Sequence, residues 1–412
     1  MKHLPKMIKL WIGLSLVLLS FATVSAQENF NAYRVLGYYS YYNIYDEYYV
    51  TDIPVEQLTH VIYEHIDISA SNQCVSRDPW ADVEFSYPGD DRFERVRGNF
   101  KQLQELKVRN PNLRIIMSIG GWEMSDNFSQ IAGDEDDRIR FARSCISFMR
   151  EYDFDGIMID WRYPVSGGRS MGVPDDYDNY PLLLGDFRGQ LDYWQEEDAA
   201  NYTLAMTAPA TPDLLQNFWM EALATHVDFI SLMAFSFEGA WSELAAHQSP
   251  LYVSDLDPRN EEAQVSYTVS GAVNTLLDMG VPAGKIILGV GFYGQSWQGV
   301  RPNTLFGLFS STGGVPNNTR EQGRLYYRDL INFFNSPNYV RYFDESAGVP
   351  WMYNENAGIA ISYEDEESIR AKAAFVRRLD LGGMAIWELS YDDDNHSLLD
   401  SLYRFLNGSQ QQ

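Results

Sequence analysis

The sequence predicts an α/β fold, a (β/α)8 barrel with a small inserted domain between strands 7 and 8. Three observations lead there. Eight short apolar runs rich in β-branched residues recur along the 412-residue chain. Amphipathic helical patterns lie between several of them. One connection, from Phe292 to Gly382, runs to about 90 residues, far longer than a barrel crossover needs.

In chain order, Lys2, Lys6 and Lys9 precede an apolar run from Leu10 to Val24 and the small-residue sequence Val24-Ser25-Ala26. This is the pattern of a secretory signal cleaved near Ala26, so residues 1–26 are expected to be removed and the protein secreted, extracellular or periplasmic. The run falls short of the roughly 20 apolar residues of a spanning helix, and polar Gln27-Glu28-Asn29 follows at once. Barrel strands are expected at 34–39, 59–66, 113–119, 155–161, 202–208, 227–234, 286–292 and 382–388. Phe93, Val96, Phe100, Leu103 and Leu106 share one helical face, as do Ile139, Ala142, Ile146 and Met149. Residues 297–357, rich in Gly, Asn, Pro and aromatics, read as the insertion, leaving 27–296 and 358–406 for the barrel. A helix over Glu366 to Asp380, with Ile369, Ala373, Phe375 and Val376, returns the chain to it.

Lys plus Arg number 31 against 57 Asp plus Glu, a net charge of −26, and without the three leader lysines it is −29. That excludes a typical nucleic-acid binder and an anionic membrane surface as partners. Cys74 and Cys145 are too few for a disulfide scaffold or a thiolate metal site; one disulfide or two buried thiols both fit. His60 and His65 share a strand without a His-Glu-x-x-His pattern, and no Gly-rich phosphate loop follows a strand. No metal or cofactor is expected.

In such barrels the chemistry sits at the C-terminal ends of the strands. Four ends stand out: Ser118-Ile119-Gly120-Gly121-Trp122, the run from Asp155 to Pro164, Met233-Ala234-Phe235-Ser236, and Gly382-Gly383-Met384-Ala385-Ile386-Trp387. At these residues, and at Phe292-Tyr293-Gly294, the chain resembles the chitinase-type glycoside hydrolases of family 18, particularly the bacterial-type chitinases with an α+β insertion domain. The motifs occur in the family's order across nearly the whole mature chain. The resemblance implies chitin or chitooligosaccharides as the ligand. It also implies a fourth strand reading Asp-Gly-x-Asp-x-Asp-x-Glu, whose last two Asp and Glu point into the barrel because side chains alternate along a strand. In the family the Glu is the general acid, and the middle carboxylates orient the substrate's own N-acetyl group as nucleophile.

Here the three inward positions hold Met158, Asp160 and Arg162. Asp155 keeps the motif's first position, but its parity turns it outward to a structural role. Arg162 stands where the general acid belongs, and a guanidinium does not release its proton in proteins. Loss of general acid catalysis alone removes about 10²- to 10⁴-fold in rate. Relatives carry Met-x-Tyr-Asp on the sixth strand, where this chain has Phe235 and Ser236, and an Arg after Tyr-Gly, where it has Gln295. A buried guanidinium needs a partner, so Arg162 is expected to pair with Asp160, Glu64 or both.

Aromatic positions are kept. Sugar rings pack an apolar face on indole, and by position Trp387 resembles the floor of the central subsite, flanked by Trp122 and Trp241. Tyr38, Met233, Phe235, Tyr293 and Asp160 match further contact positions. The run Tyr38 to Tyr49 holds seven tyrosines, either an extension of the cleft wall or a packed loop. The reading is a secreted chitinase-like lectin without hydrolytic activity. Two alternatives stand beside it: a hydrolase using a relocated carboxylate such as Glu64, Glu238 or Glu388, and a scaffold for protein interaction.

Overall fold

Eight parallel strands close on themselves in the computed structural model, which describes residues 33–408 apart from 92, 260–263, 318 and 320. The expected signal segment lies outside the described residues. In chain order the strands are β1 (Arg34–Ser40), β2 (His60–Ile68), β3 (Cys74–Ser76), β4 (Arg114–Gly120), β5 (Gly156–Asp160), β6 (Thr203–Pro209), β7 (Phe229–Met233) and β8 (Ile286–Gly291). A second sheet follows, built from β9 (Tyr293–Trp297), β10 (Arg324–Tyr326), β11 (Val340–Asp344), β12 (Val349–Asn354) and β13 (Ile359–Ser362), before β14 (Gly383–Trp387) completes the barrel. The barrel order is β1-β14-β8-β7-β6-β5-β4-β2, closed by β1 pairing with β2, and β3 adds an antiparallel flap to β2. All eight expected barrel strands are present, their ends shifted by no more than two residues.

The strands read as unbroken apolar runs because both of their faces are buried. Inside, Leu36, Ile62, Ile116, Met158, Ala205, Phe229, Ile287 and Ala385, one from each strand, form a single packed cluster with Tyr38. Their neighbours Val35, Val61, Ile115, Ile157, Leu204, Ile230, Ile286 and Met384 pack outward against the helices. Apart from the two alanines, each such Val, Leu, Ile, Phe or Met side chain contributes roughly 1.5–3 kcal/mol by leaving water.

Helix Glu135–Glu151 shows how the sequence marks its ends. Asp134 caps it by accepting from Asp137 N at 3.0 Å, Glu135, Asp136 and Asp137 occupy the first turn, and Arg150 the last. Helix Glu366–Arg378 returns the chain as expected, with Ile369, Ala373, Phe375 and Val376 buried. The helical face expected from Phe93 onward is corrected: the helix spans Gly98–Arg109, and Phe93 is 79% exposed ahead of it. Gly98 is the reason. It adopts φ +59, and a Cβ there would stand 2.5 Å from Ala81 O, so the chain turns at Gly98 and the preceding segment docks on residues 83–85 through Arg97 N and Gly98 N.

The second sheet is antiparallel, in the order β10-β9-β13-β12-β11. Its strands begin at Tyr293 and end at Ser362, wider than the 297–357 of the sequence expectation. Cys74 on β3 and Cys145 on helix Glu135–Glu151 form a disulfide, which resolves the alternative left open by sequence. Among the described residues, no helix is long and apolar enough to cross a membrane.

Candidate functional site

The end of β5 keeps the alternation expected of it. Ile157, Ile159 and Trp161 join the outer core, while Met158 belongs to the barrel interior and Asp160 and Arg162 meet above it. Met158 is fully buried and takes a 3.3 Å contact from the Tyr38 hydroxyl at its sulfur. Tyr38 also donates to Ser231 Oγ at 2.9 Å, and burial holds its phenol far above the usual range, hence neutral. Met233 Sδ lies 4.0 Å from the same Ser231 hydroxyl. Asp155 sits at the other end of the strand, accepting from Ile115 N and Lys107 Nζ, the structural role its parity predicts.

Asp160 has no solvent exposure. Arg162 grips it with a fork, Nε to Oδ1 at 2.8 Å and Nη2 to Oδ2 at 2.7 Å. Thr207 on β6 donates to Oδ1 at 2.6 Å, and His65 Nε2 lies 3.7 Å from Oδ2. A carboxylate offers about four acceptor positions, and here each oxygen has two neighbours. Burial would raise the Asp160 pKa, but the Arg162 charge, with the Arg162 and His65 contacts, outweighs it and holds the carboxyl well below the usual carboxylate range. The expected Asp160–Arg162 pair is therefore present. Ser125 fastens the strand end beneath it, accepting from Arg162 N at 2.9 Å and donating to Gly121 O at 2.8 Å.

A second group of ions adjoins the first. Glu64 Oε1 accepts from Ser40 Oγ at 2.9 Å and from Trp387 Nε1 at 3.1 Å. His65 Nε2 stands 3.4 Å from the other Glu64 oxygen. Burial disfavours the imidazolium, yet Glu64 and Asp160 together move His65 above its ordinary pKa. Ser40 also contacts Glu388, which Ser390 holds from the other side. Burial, reinforced by the Glu64 charge, pushes Glu388 up to about 7. One Ser40 hydroxyl proton cannot serve two carboxylates at once; when Glu388 is protonated it can donate to Ser40 and leave the Ser40 proton for Glu64.

Gly120 and Gly121 let this network close. Both have positive φ, and a Cβ on Gly120 would meet Asp160 O at 2.5 Å, one on Gly121 the His65 ring at 2.6 Å. Trp122, directly after them, is 49% exposed, and Trp241, beyond β7, is 69% exposed. Trp387 is half-buried: Phe235 lies parallel to it at 6.0 Å and 19°, and Tyr293 meets it edge-on at 6.0 Å. Tyr293 shares a hydrogen bond with Ser236. The contacts thus join Tyr38, Met158 and Met233 in one line and Phe235, Tyr293, Trp387, Glu64, His65, Asp160 and Arg162 in another, while Trp122 and Trp241 project into solvent.

Several residues escaped the sequence reading. Arg324 on β10 lies opposite Gln295 on β9 and places its guanidinium 4.6 Å from the Tyr293 ring centre and 5.1 Å from that of Trp387. A cation therefore comes across the strand pair from the position where relatives are expected to carry one. Only the register of a three-residue strand reveals this. Thr207 was legible, being a polar residue of inward parity near the end of β6. The tyrosine run is mainly packed: Tyr39 donates to Tyr48 O at 3.0 Å and Tyr49 lies parallel to Phe85, with Tyr45 57% exposed over Trp80. Of the displaced carboxylates, Glu64 and Glu388 are fully buried and Glu238 is bound by Arg259 and Ser242. No cluster of metal-ligating side chains occurs among the described residues.

Comparison with known proteins gives this geometry its context. The family model for glycosyl hydrolases family 18 matches residues 34–392. The chain is 36% identical over 430 aligned positions to chitinase A1 of Niallia circulans, covering 94% of this chain and 61% of that protein, so it spans less than two thirds of that relative's length. It is 33% identical to endochitinase 1 of Metarhizium robertsii, covering 86% of this chain and 80% of the relative. Among solved structures, chitinase ChiA74 from Bacillus thuringiensis superposes with a TM-score of 0.82 at 30% identity, over 92% of this chain and 70% of that one. The catalytic domain of psychrophilic chitinase B from Arthrobacter TAD20 gives 0.83 at 26% identity, over 92% and 96%. Matched along nearly all of its barrel and second sheet, this chain belongs to glycosyl hydrolase family 18.

Proposed function

We propose that the protein is a secreted chitinase-like lectin that binds chitin or chitooligosaccharides along the strand-end cleft without cleaving them. One observation carries this reading: the Arg162 fork on Asp160. At the position expected for the general acid stands a cation that releases no proton at neutral pH. The carboxylate that would orient an acetamido group already accepts hydrogen bonds from Arg162 on both oxygens and from Thr207 on one, with His65 3.7 Å from the other. Exposed Trp122 and Trp241 and half-buried Trp387 supply stacking surface for a neutral glycan. A disulfide between Cys74 and Cys145 fits an oxidising, extracytoplasmic compartment.

The test is a calorimetric titration of chitohexaose with chromatography of the same sample. Saturable binding with the hexamer intact is expected, and Trp387→Ala weakens it at least tenfold, about 1.4 kcal/mol. Release of shorter oligomers overturns the reading. The hydrolase alternative has one feature in its favour, since burial pushes Glu388 up to about 7, where a general acid is useful. Its carboxyl is fully buried between Ser40 and Ser390, and any activity abolished by Glu388→Gln, Glu64→Gln or Glu238→Gln would identify the relocated acid. For secretion, protein recovered from the culture medium should begin at Gln27.

A further inference from the structure

We propose that the segment following β7 builds a second ligand site, apart from the strand-end cleft, that takes a single neutral sugar ring. It is a cavity of about 330 Å³, within the usual size of small-molecule pockets. Phe237, Tyr252, Tyr267 and Phe309 supply much of its wall, and of the residues described above for the cleft only Glu238 lines it.

Two of its lining residues each carry a buried polar atom without a hydrogen-bond partner among the described residues. His247 is 3% exposed and its Nε2 lies 3.1 Å from Asp344 Oδ2. In the neutral imidazole the Asp344 carboxylate holds the proton on Nε2 and leaves Nδ1 as a lone-pair acceptor, and Nδ1 meets no hydrogen-bond partner among the described residues. Gln264 Nε2, a donor, is likewise buried without a partner among the described residues. Leaving such atoms unsatisfied costs about 1–3 kcal/mol each, and the two residues that carry them both line this cavity, so an occupant that both donates and accepts would satisfy them.

The charges at the cavity narrow the choice. Arg259 is committed to Asp257, by Nε and by Nη2 at 2.7 Å, and to Glu238 by Nη1. An anion would therefore meet two carboxylates and no uncommitted cation among the lining residues, and it would bring no donor for His247. A neutral sugar satisfies every condition. Its hydroxyls donate to Nδ1, its oxygens accept from Gln264, and its C–H face packs on the aromatic wall.

Equilibrium dialysis of the full-length protein against N-acetylglucosamine tests this. The Trp387→Ala variant removes the main stacking surface of the cleft, so binding retained there reports the second site. One saturable site is expected in that variant, weakened at least about fivefold by adding Gln264→Leu and similarly by adding His247→Phe. His247→Phe also deprives Asp344 of a partner; if it does not fold, Gln264→Leu decides alone. No site in Trp387→Ala, or affinity unmoved by Gln264→Leu, overturns the proposal, as does a crystal soaked in the sugar that holds only water in the cavity. Failure of cleft binding would appear separately, as loss of chitohexaose binding by the unmodified protein.

Discussion

Arg162 and Asp160 are best understood as one unit. Removing a single partner strands a buried charge, which costs about 3–5 kcal/mol, whereas an apolar or neutral pair of similar shape is often tolerated. Arg162→Met should therefore lower the urea midpoint sharply, and Asp160→Asn with Arg162→Met should regain most of the loss; equal and additive effects in the double-mutant cycle would contradict the pairing. Glu388 gives a prediction of opposite sign to an ordinary salt bridge. Its folded pKa of about 7 exceeds the unfolded value of 4.5, so below about pH 4.5 both states are protonated and the group costs nothing. As pH rises the unfolded state ionises first, and stability falls until about pH 7, by on the order of 3 kcal/mol. Glu388→Gln should match the parent protein at pH 4 and melt above it at pH 8, as read by thermal denaturation. Part of this site was legible in the residues themselves: strand parity alone places Met158, Asp160 and Arg162 together. Arg324 was not, because its arrival over Trp387 depends on how β10 pairs with β9.

Strands were easier to read than the elements around them, for a physical reason. A barrel strand buried on both faces leaves an uninterrupted apolar run, whereas a helix edge depends on a local turn, and Gly98 at φ +59 set Phe93 outside the helix whose periodicity it matched. The second sheet blurred at its borders because β9 begins one residue after Phe292 and β10 has three residues, too few for a pattern. The disulfide joins β3 to helix Glu135–Glu151 across a sequence separation of 71. Closing a loop of that length restricts the unfolded chain by about 4 kcal/mol in the entropic account. Cys74→Ser with Cys145→Ser should lower unfolding stability by that order in denaturant titration and leave chitohexaose affinity unchanged, since Trp387 is held by Glu64, Phe235, Tyr293 and Tyr391 and not by β3.

The whole molecule carries a net charge of −26 yet is proposed to bind an uncharged polymer. Stacking and short hydrogen bonds are little screened, so affinity for chitohexaose should change by less than about twofold between about 0.05 and 0.5 M salt; a steep dependence would point to a charged partner. The alternation of eight strands with helices made the architecture readable, while the chemistry above it turned on a few replaced side chains that the fold tolerates without rearrangement. The Asp160–Arg162 fork also bears on the history of such a chain. Exchanging Arg162 for Glu by itself would set a second carboxyl against Asp160 with His65 as the nearest cation, and Met158→Asp by itself would place a charge among Leu36, Ile62 and Phe229. Each such single change passes through a less stable protein, so folding itself holds this arrangement in place, and reaching the carboxylates of the family pattern from it requires coordinated change.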